Sequence, residues 1–215
     1  QAAEATYLRA SWGQGFRFPS MAELFIRATQ SGLEIFANPS LKPESGWSTE
    51  FGIKQGLKFG NWLGYADVAL FLMRYDDMME FSFGQWEDGI GFKSVNVGKT
   101  EISGVEISAT GQGKITDDLT INLLAGYTYM NPISLEPDLA YEKDKNGEGV
   151  TYNISSSDPS ILKYRYQHIA KTDFEIIYKD MSFGASFRYN DFMRNIDQVF
   201  VGMGDDDGVL PGINT

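Results

Sequence analysis

A single histidine, His168, and no cysteine among 215 residues leave little room for side-chain catalysis. A nucleophile–histidine–acid arrangement would have to use His168, and its thiol version has no thiol. His168 follows Tyr166 and Gln167 in a run that reads as a strand, so a wall or interface role is expected for it. Asp76-Asp77 and Asp117-Asp118 are the residue type that glycoside hydrolysis uses. Each pair borders a turn or a strand end, where solvated carboxylates are ordinary. Glu142-x-Asp144-x-Asn146-Gly147 has the alternating oxygens and the glycine that open a calcium loop, but the twelfth position is Asn153, where such a loop supplies a bidentate Glu. Asp205-Asp206-Asp207-Gly208 is a second acidic run. A solvated loop is the expectation for both. No G-x-G-x-x-G or G-x-x-x-x-G-K-[ST] occurs, so no phosphate-cradling loop is predicted. These residues predict no enzyme, no catalytic residue, no resident metal and no cofactor. Three aromatic rings remain as candidates for stacking on a ligand from loops: Trp86, Tyr141 and Tyr152.

The elements that would position such residues are strands. From Leu119 to Tyr129, Leu119, Ile121, Leu123, Ala125, Tyr127 and Tyr129 fall on one parity. Thr120, Asn122, Gly126 and Thr128 fall on the other, with Leu124 the exception. A period of two marks a strand, because successive side chains point to opposite faces of the pleat. Similar stretches run over Thr6–Phe16, Trp47–Lys58, Trp62 to about Phe83, about Phe92 to Gly111, about Lys163 to Tyr178, and from Met181 onward. Seven strands are therefore predicted, most of them longer than the ~5–6 residues usual in globular proteins. Polar side chains at Arg9, Glu50, Lys54, Asn96, Glu106, Asn122 and Arg188 are expected to share one face.

The connections alternate in length. Those at 59–61, 113–118 and 179–181 are short, and those at 17–44, 84–91 and 131–162 are longer. Consecutive antiparallel strands reverse direction, so all the long connections lie at one end of the sheet. Ser20 is placed to cap a helical turn at the start of the first long connection. No apolar run reaches the ~18 residues of a spanning helix, but a membrane barrel needs only alternating strands of ~9–11 residues. The 14% aromatic content, with 15 Phe and 11 Tyr, suits strands and the aromatic girdles of such a barrel. A net charge of −11 makes nucleic acid a poor partner. The chain begins in a strand-like run and ends at Gly212-Ile213-Asn214-Thr215 without one, so a piece of a longer protein is expected. Parity alone leaves a soluble β-sandwich, an adhesin-like binding domain and a passive porin as alternatives; strand length and loop asymmetry favour the membrane barrel.

Gly13-Gln14-Gly15-Phe16-Arg17-Phe18-Pro19-Ser20 followed by Glu23-Leu24-Phe25 resembles the G-x-G-F-R-x-P-S…E-L-F stretch of TonB-dependent outer-membrane receptors. Asn38-Pro39-Ser40-Leu41-Lys42-Pro43-Glu44 is similar to their N-P-x-L-x-P-E box, and Glu50-Phe51-Gly52 to the E-x-G that follows. Tyr75 to Glu80, Asn96-Val97-Gly98 with Gly104-Val105-Glu106, Gly126 to Tyr129 and Leu162 to Arg165 continue the series in order. The resemblance implies an all-β fold of antiparallel up-and-down strands. It implies that residues 1–215 are the C-terminal part of a receptor barrel of about 22 strands, without the plug domain or closing strands. It further implies a bacterial outer-membrane location and uptake of a scarce ligand such as a ferric siderophore, cobalamin or an oligosaccharide. The expected partners are TonB (through the parent's N-terminal part), outer-membrane lipid, the small-molecule or metal-chelate cargo, and a surface lipoprotein as a further class. Haem receptors of the family carry a histidine between the two boxes, and none lies between Arg17 and Asn38. The box residues Arg17, Pro19, Asn38, Pro39, Leu41, Pro43 and Glu44 are expected to fix loop geometry, with prolines presetting φ and Arg17 tying loop carbonyls.

Overall fold

Alternating apolar and polar side chains need a pleat with two different surroundings, and the chain supplies a long sheet on which to separate them. The computed structural model describes residues 5–30 and 32–204. In chain order its elements are β1 (Thr6–Arg17), α1 (Met21–Phe25), β2 (Ala28–Gln30), β3 (Leu33–Phe36), β4 (Glu44–Phe59), β5 (Trp62–Asp76), β6 (Met79–Trp86), β7 (Gly89–Asn96), β8 (Thr100–Lys114), β9 (Leu119–Ser134), β10 (Glu142–Lys143), β11 (Gly149–Val150), α2 (Tyr152–Ser155), β12 (His168–Tyr178) and β13 (Met181–Asn190). Seven of these form one sheet in the order β1-β4-β5-β8-β9-β12-β13, antiparallel throughout. Sheet neighbours are therefore also successive long strands, the up-and-down arrangement. Four of them run to 15 or 16 residues. The sheet stays open among the described residues, with β1 and β13 as its edges.

The register assigns the two faces. Leu8, Ile53, Val68, Ile107, Tyr127, Ala170 and Tyr189 lie on one side, together with Trp12, Phe51, Leu70, Phe174, Phe183 and Phe187. These side chains are bare: Trp12 is 65% exposed, Leu70 58% and Phe187 63%. The opposite side carries Arg9, Glu50, Lys54, Glu106, Asn122 and Arg188, as the parity predicts. Asn96 departs from that expectation, because it ends β7 in a different sheet. No helix among the described residues is long and apolar enough to cross a membrane, which says nothing of strands.

Three strand boundaries differ from the alternation pattern: the third strand ends early, the fourth starts at Thr100 rather than about Phe92 because residues 92–96 belong to β7, and the sixth starts late. All three differences build the same structure. The third strand stops at Asp76, and Asp77 turns the chain in the left-handed region at φ 51°. Residues 79–96 then form their own hairpin, β6–β7, where a loop at 84–91 is expected from sequence. Gly98 closes this excursion at φ +85°, a conformation that strains side chains with a Cβ, and an added Cβ would press on Glu136 and Leu139 at 2.9 Å. The sixth strand starts at His168, later than its apolar pattern suggests, because Tyr164 breaks the run at φ 57°. The long connections are thus 18–43, 77–99 and 135–167, all at one end. They fold into a second sheet, β2-β3-β7-β6, with β3 parallel to β7.

Compact packing is concentrated in these connections. Phe36, Met78, Trp86, Val95, Val97, Tyr152 and Leu162 form the buried apolar cluster. Of the buried apolar side chains among the described residues, only Ala69 and Pro132 belong to the seven-stranded sheet. Full burial of a large apolar side chain stabilises by about 1.5–3 kcal/mol. That stabilisation holds the loop layer together as a small domain on top of the long strands.

Candidate ligand-facing loop layer

The box residues act as clamps between connections. Ser20 caps α1: its hydroxyl accepts from the Glu23 N–H at 3.2 Å, while the Ser20 N–H donates to Glu23 Oε2 at 2.7 Å. Arg17 donates to Glu23 Oε1 at 3.1 Å, so it ties a carboxylate rather than the carbonyls expected of it. Desolvation pushes the Glu23 carboxyl up, but the Ser20 N–H and hydroxyl and Arg17 outweigh it and hold the group below its ordinary range. Pro19 precedes the cap residue and Pro39 sits inside the turn that Asn38 closes by accepting from the Ser40 N–H at 3.1 Å. Asn38 Nδ2 donates to the Ser94 carbonyl at 2.9 Å. Asn96 answers from β7: its Oδ1 accepts from the Lys42 N–H at 2.8 Å, and its Nδ2 donates to the Lys42 and Asp77 carbonyls. Leu41 is buried between these amides, and Pro43 leads into Glu44, whose carboxylate accepts from the Met79 N–H at 2.8 Å. The first two long connections are thereby locked to one another.

The three aromatic candidates sit inside this layer. Trp86 is 1% exposed and its indole N–H donates to the Gly91 carbonyl at 2.8 Å. Tyr152 is fully buried, its hydroxyl accepting from the Lys163 N–H at 2.6 Å. Tyr141 is half-buried and donates to Ser155 Oγ at 2.7 Å. Long connections that build their own core consume their large rings in it, so Trp86 and Tyr152 offer no free face for stacking.

A buried ionic cluster that joins residues of two of the sequence boxes, Glu80 and Lys163, to Asp197 lies beside Tyr152. Lys163 Nζ stands 2.7 Å from Asp197 Oδ1, with both side chains 1% exposed. Lys163 also donates to Ser155 Oγ at 2.9 Å. Asp197 Oδ2 accepts from the Phe83 N–H at 2.9 Å and from the Tyr164 hydroxyl at 2.8 Å. Glu80 joins through the Tyr152 hydroxyl, and its other oxygen, Oε2, is buried with no hydrogen-bond partner. Desolvation pushes the Glu80 carboxyl up to about 7, against the pull of Lys163 and Arg165. Desolvation likewise drives the Tyr141, Tyr152 and Tyr164 hydroxyls well above their usual range. Lys163 and Asp197 are 34 residues apart in irregular chain, so neither periodicity nor a short motif could pair them.

The remaining sequence candidates are placed simply. His168 opens β12 on the apolar side, opposite Tyr129, with Nδ1 2.8 Å from the Tyr127 hydroxyl. Asp76 ends β5, and Asp117 and Asp118 sit in the short turn beside Lys114 and Lys179. Asp144 spends Oδ1 on the N–H groups of Asn146 and Glu148, closing the β10–β11 hairpin. Among the described residues no three His, Cys, Asp or Glu side chains are grouped to hold a metal ion. Asp205 to Gly208 lie outside the described residues. On the polar side of the long sheet Arg9 bridges Glu50 at 2.7 Å and Asp67 at 2.6 Å, and Asn122 donates to Glu175 at 2.8 Å.

A polar, ion-paired face, a bare apolar face and a structured layer at one end of an open up-and-down sheet describe part of a membrane barrel. The family model "TonB dependent receptor-like, beta-barrel" matches residues 1–212. The chain belongs to the TonB-dependent receptor family. Among solved structures, the Serratia marcescens hemophore receptor HasR, in complex with its hemophore HasA and heme, matches 89% of this receptor segment and 31% of its own chain, with TM-score 0.58 and 18% identity. The copper transporter OprC matches 91% of the segment and 26% of its own chain, with TM-score 0.51 and 19% identity. At these identities the likeness is one of fold. A hemoglobin and hemoglobin-haptoglobin-binding protein A from Haemophilus influenzae is 23% identical over 171 residues, 75% of the segment. The segment spans 14% of that relative's length, and between a quarter and a third of the two solved chains.

Proposed function

We propose that this segment is part of an outer-membrane active transporter, a receptor that gathers a scarce ligand from outside the cell and draws energy for uptake through TonB. Residues 1–215 form one portion of its barrel domain, with the apolar face against lipid, the polar face lining the lumen and the clamped connections outside. The single observation that carries this reading is the polarity split of the seven-stranded sheet: unsheltered aromatics and aliphatics on one side, and the Arg9–Glu50–Asp67 network on the other. Lipid is the medium in which such a face is stable. A β-sandwich would cover such a face with a second sheet, whereas Trp12, Leu70 and Phe187 are bare.

Within this class the cargo is a ferric siderophore, cobalamin or an oligosaccharide rather than haem held by a histidine of this segment. Support comes from the position of His168, on the lipid side and bound to Tyr127, and from the absence of histidine between Arg17 and Asn38. Receptors for haem, for haemoglobin and for copper are all among the similar proteins, so family likeness does not select the ligand. The test is accumulation of radiolabelled ferric siderophore, cobalamin or oligosaccharide by cells that carry the full-length receptor, with and without TonB. Accumulation that vanishes without TonB is expected for one of these ligands. Equal accumulation in both strains would make the barrel a passive porin.

A further inference from the structure

We infer that the Glu80–Lys163–Asp197 cluster is a proton-sensitive latch, which holds the 77–99 and 135–167 connections and the chain after β13 together at acidic pH and loosens them above neutrality. It concerns the mechanics of the loop layer and stands apart from the identity of the cargo.

The geometry is that of a joint. Glu80, Ser82 and Phe83 come from β6, Tyr152 and Ser155 from α2, Lys163 and Tyr164 from the chain before β12, and Asp197 from the chain after β13. Asp197 alone receives three donors from two of those segments: the Phe83 N–H of β6, and the Tyr164 hydroxyl and Lys163 ammonium of the chain before β12. Lys163 and Asp197 cancel each other's charge in the interior, and a buried pair of this kind is stable only while it stays paired and hydrogen-bonded. Glu80 is the odd member. The groups that face it are Lys163, Arg165, Asp197 and the Tyr152 hydroxyl, with Tyr141 and Tyr164 further round the cluster. With its proton on, Glu80 leaves the joint neutral. With its proton off, a second carboxylate stands in the interior next to Asp197, and Oε2 has no donor to receive it. Ser82 Oγ and Ser156 Oγ are also buried without a partner in the same layer, and neither hydroxyl is hydrogen-bonded to Glu80.

The direction follows from linkage. The Glu80 carboxyl titrates near 7 in the folded layer, above its ordinary value in unfolded chain. The folded state therefore holds the proton more tightly, and its advantage is complete below the ordinary carboxylate range and lost as pH rises through about 7.

The test is hydrogen exchange of the Phe83 and Lys163 amides in the full-length receptor in outer-membrane vesicles, across pH 5.5 to 8.5 and corrected for intrinsic exchange. Protection is expected to fall by on the order of tenfold or more over that range. Glu80→Gln, which keeps the shape and removes the titration, is expected to flatten the profile. A wild-type profile that is flat, or a slope that survives in Glu80→Gln, overturns the proposal. Should Glu80→Gln fail to fold, difference infrared spectroscopy of the wild type gives the answer. A protonated carboxylic-acid band that disappears around pH 7 supports the latch, and none titrating between pH 6 and 8 rejects it.

Discussion

At the scale of single residues, Lys163 and Asp197 form an ion pair with almost no access to water. Coulomb attraction at 2.7 Å between Lys163 and Asp197 is offset by the desolvation of both groups, so the pair's net contribution is small while it is whole. Its removal is another matter. Lys163→Met leaves Asp197 charged in the interior and is expected to destabilise the loop layer by about 3–5 kcal/mol. The double change Lys163→Met with Asp197→Leu removes the stranded charge and should recover part of that loss. Recovery stays incomplete, because the Phe83 N–H and the Tyr164 hydroxyl lose their acceptor. Protease sensitivity of the 135–167 connection, followed in urea, measures both. Equal losses in the single and double variants would mean that the two charges are not coupled. The pairing is not legible in the sequence, because Lys163 before β12 and Asp197 after β13 meet only once both strands have folded. Arg17, Asn38 and Glu44 stand out by contrast, because their boxes are local, and only their hydrogen-bond partners needed the structure.

At the scale of elements, parity governs the strands. Leu123 and Asn122 are neighbours in β9, yet they face different media: Leu123 shares a side with Phe174, and Asn122 donates to Glu175 across the polar face. Leu123→Arg in the membrane-embedded receptor is expected to cost about 2–4 kcal/mol if the site lies near the bilayer midplane. Asn122→Arg should cost far less, because the new guanidinium meets the Glu175 carboxylate in a polar surrounding. Unfolding in urea from lipid vesicles compares the two, and equal costs would reject the assignment of faces. The long strands were readable because each spans two media and must alternate. The β6–β7 hairpin was not, because it lies in a layer with its own core. Its apolar residues fall on both parities, with Phe81 and Phe83 on one side and Trp86 and Val95 on the other. The chain turns out of β5 at Asp77 with neither Gly nor Pro to mark the turn. For the same reason Trp86 and Tyr152 read as loop aromatics in sequence and are core residues in fact.

At the scale of the whole molecule, two surfaces are left that water does not suit. One is the apolar side of the long sheet, where Leu8, Trp12, Phe51, Leu70, Phe183 and Phe187 are all more than a third exposed. The other is the pair of sheet edges, β1 and β13, whose outward backbone groups are free to pair among the described residues. Exposed apolar faces and open edges both promote association, the first without direction and the second by strand addition. The isolated 215-residue chain in detergent-free buffer is therefore expected to form large assemblies, measurable by sedimentation velocity. Detergent above its micellar concentration covers the face but leaves the edges, so it should reduce assembly size without abolishing association. The two sources then separate: a chain that becomes fully monomeric in detergent associates through its apolar face alone, whereas residual oligomers point to the edges. A monodisperse monomer in plain buffer would contradict the lipid-facing assignment, because a surface of that size and composition has no other means of staying apart in water.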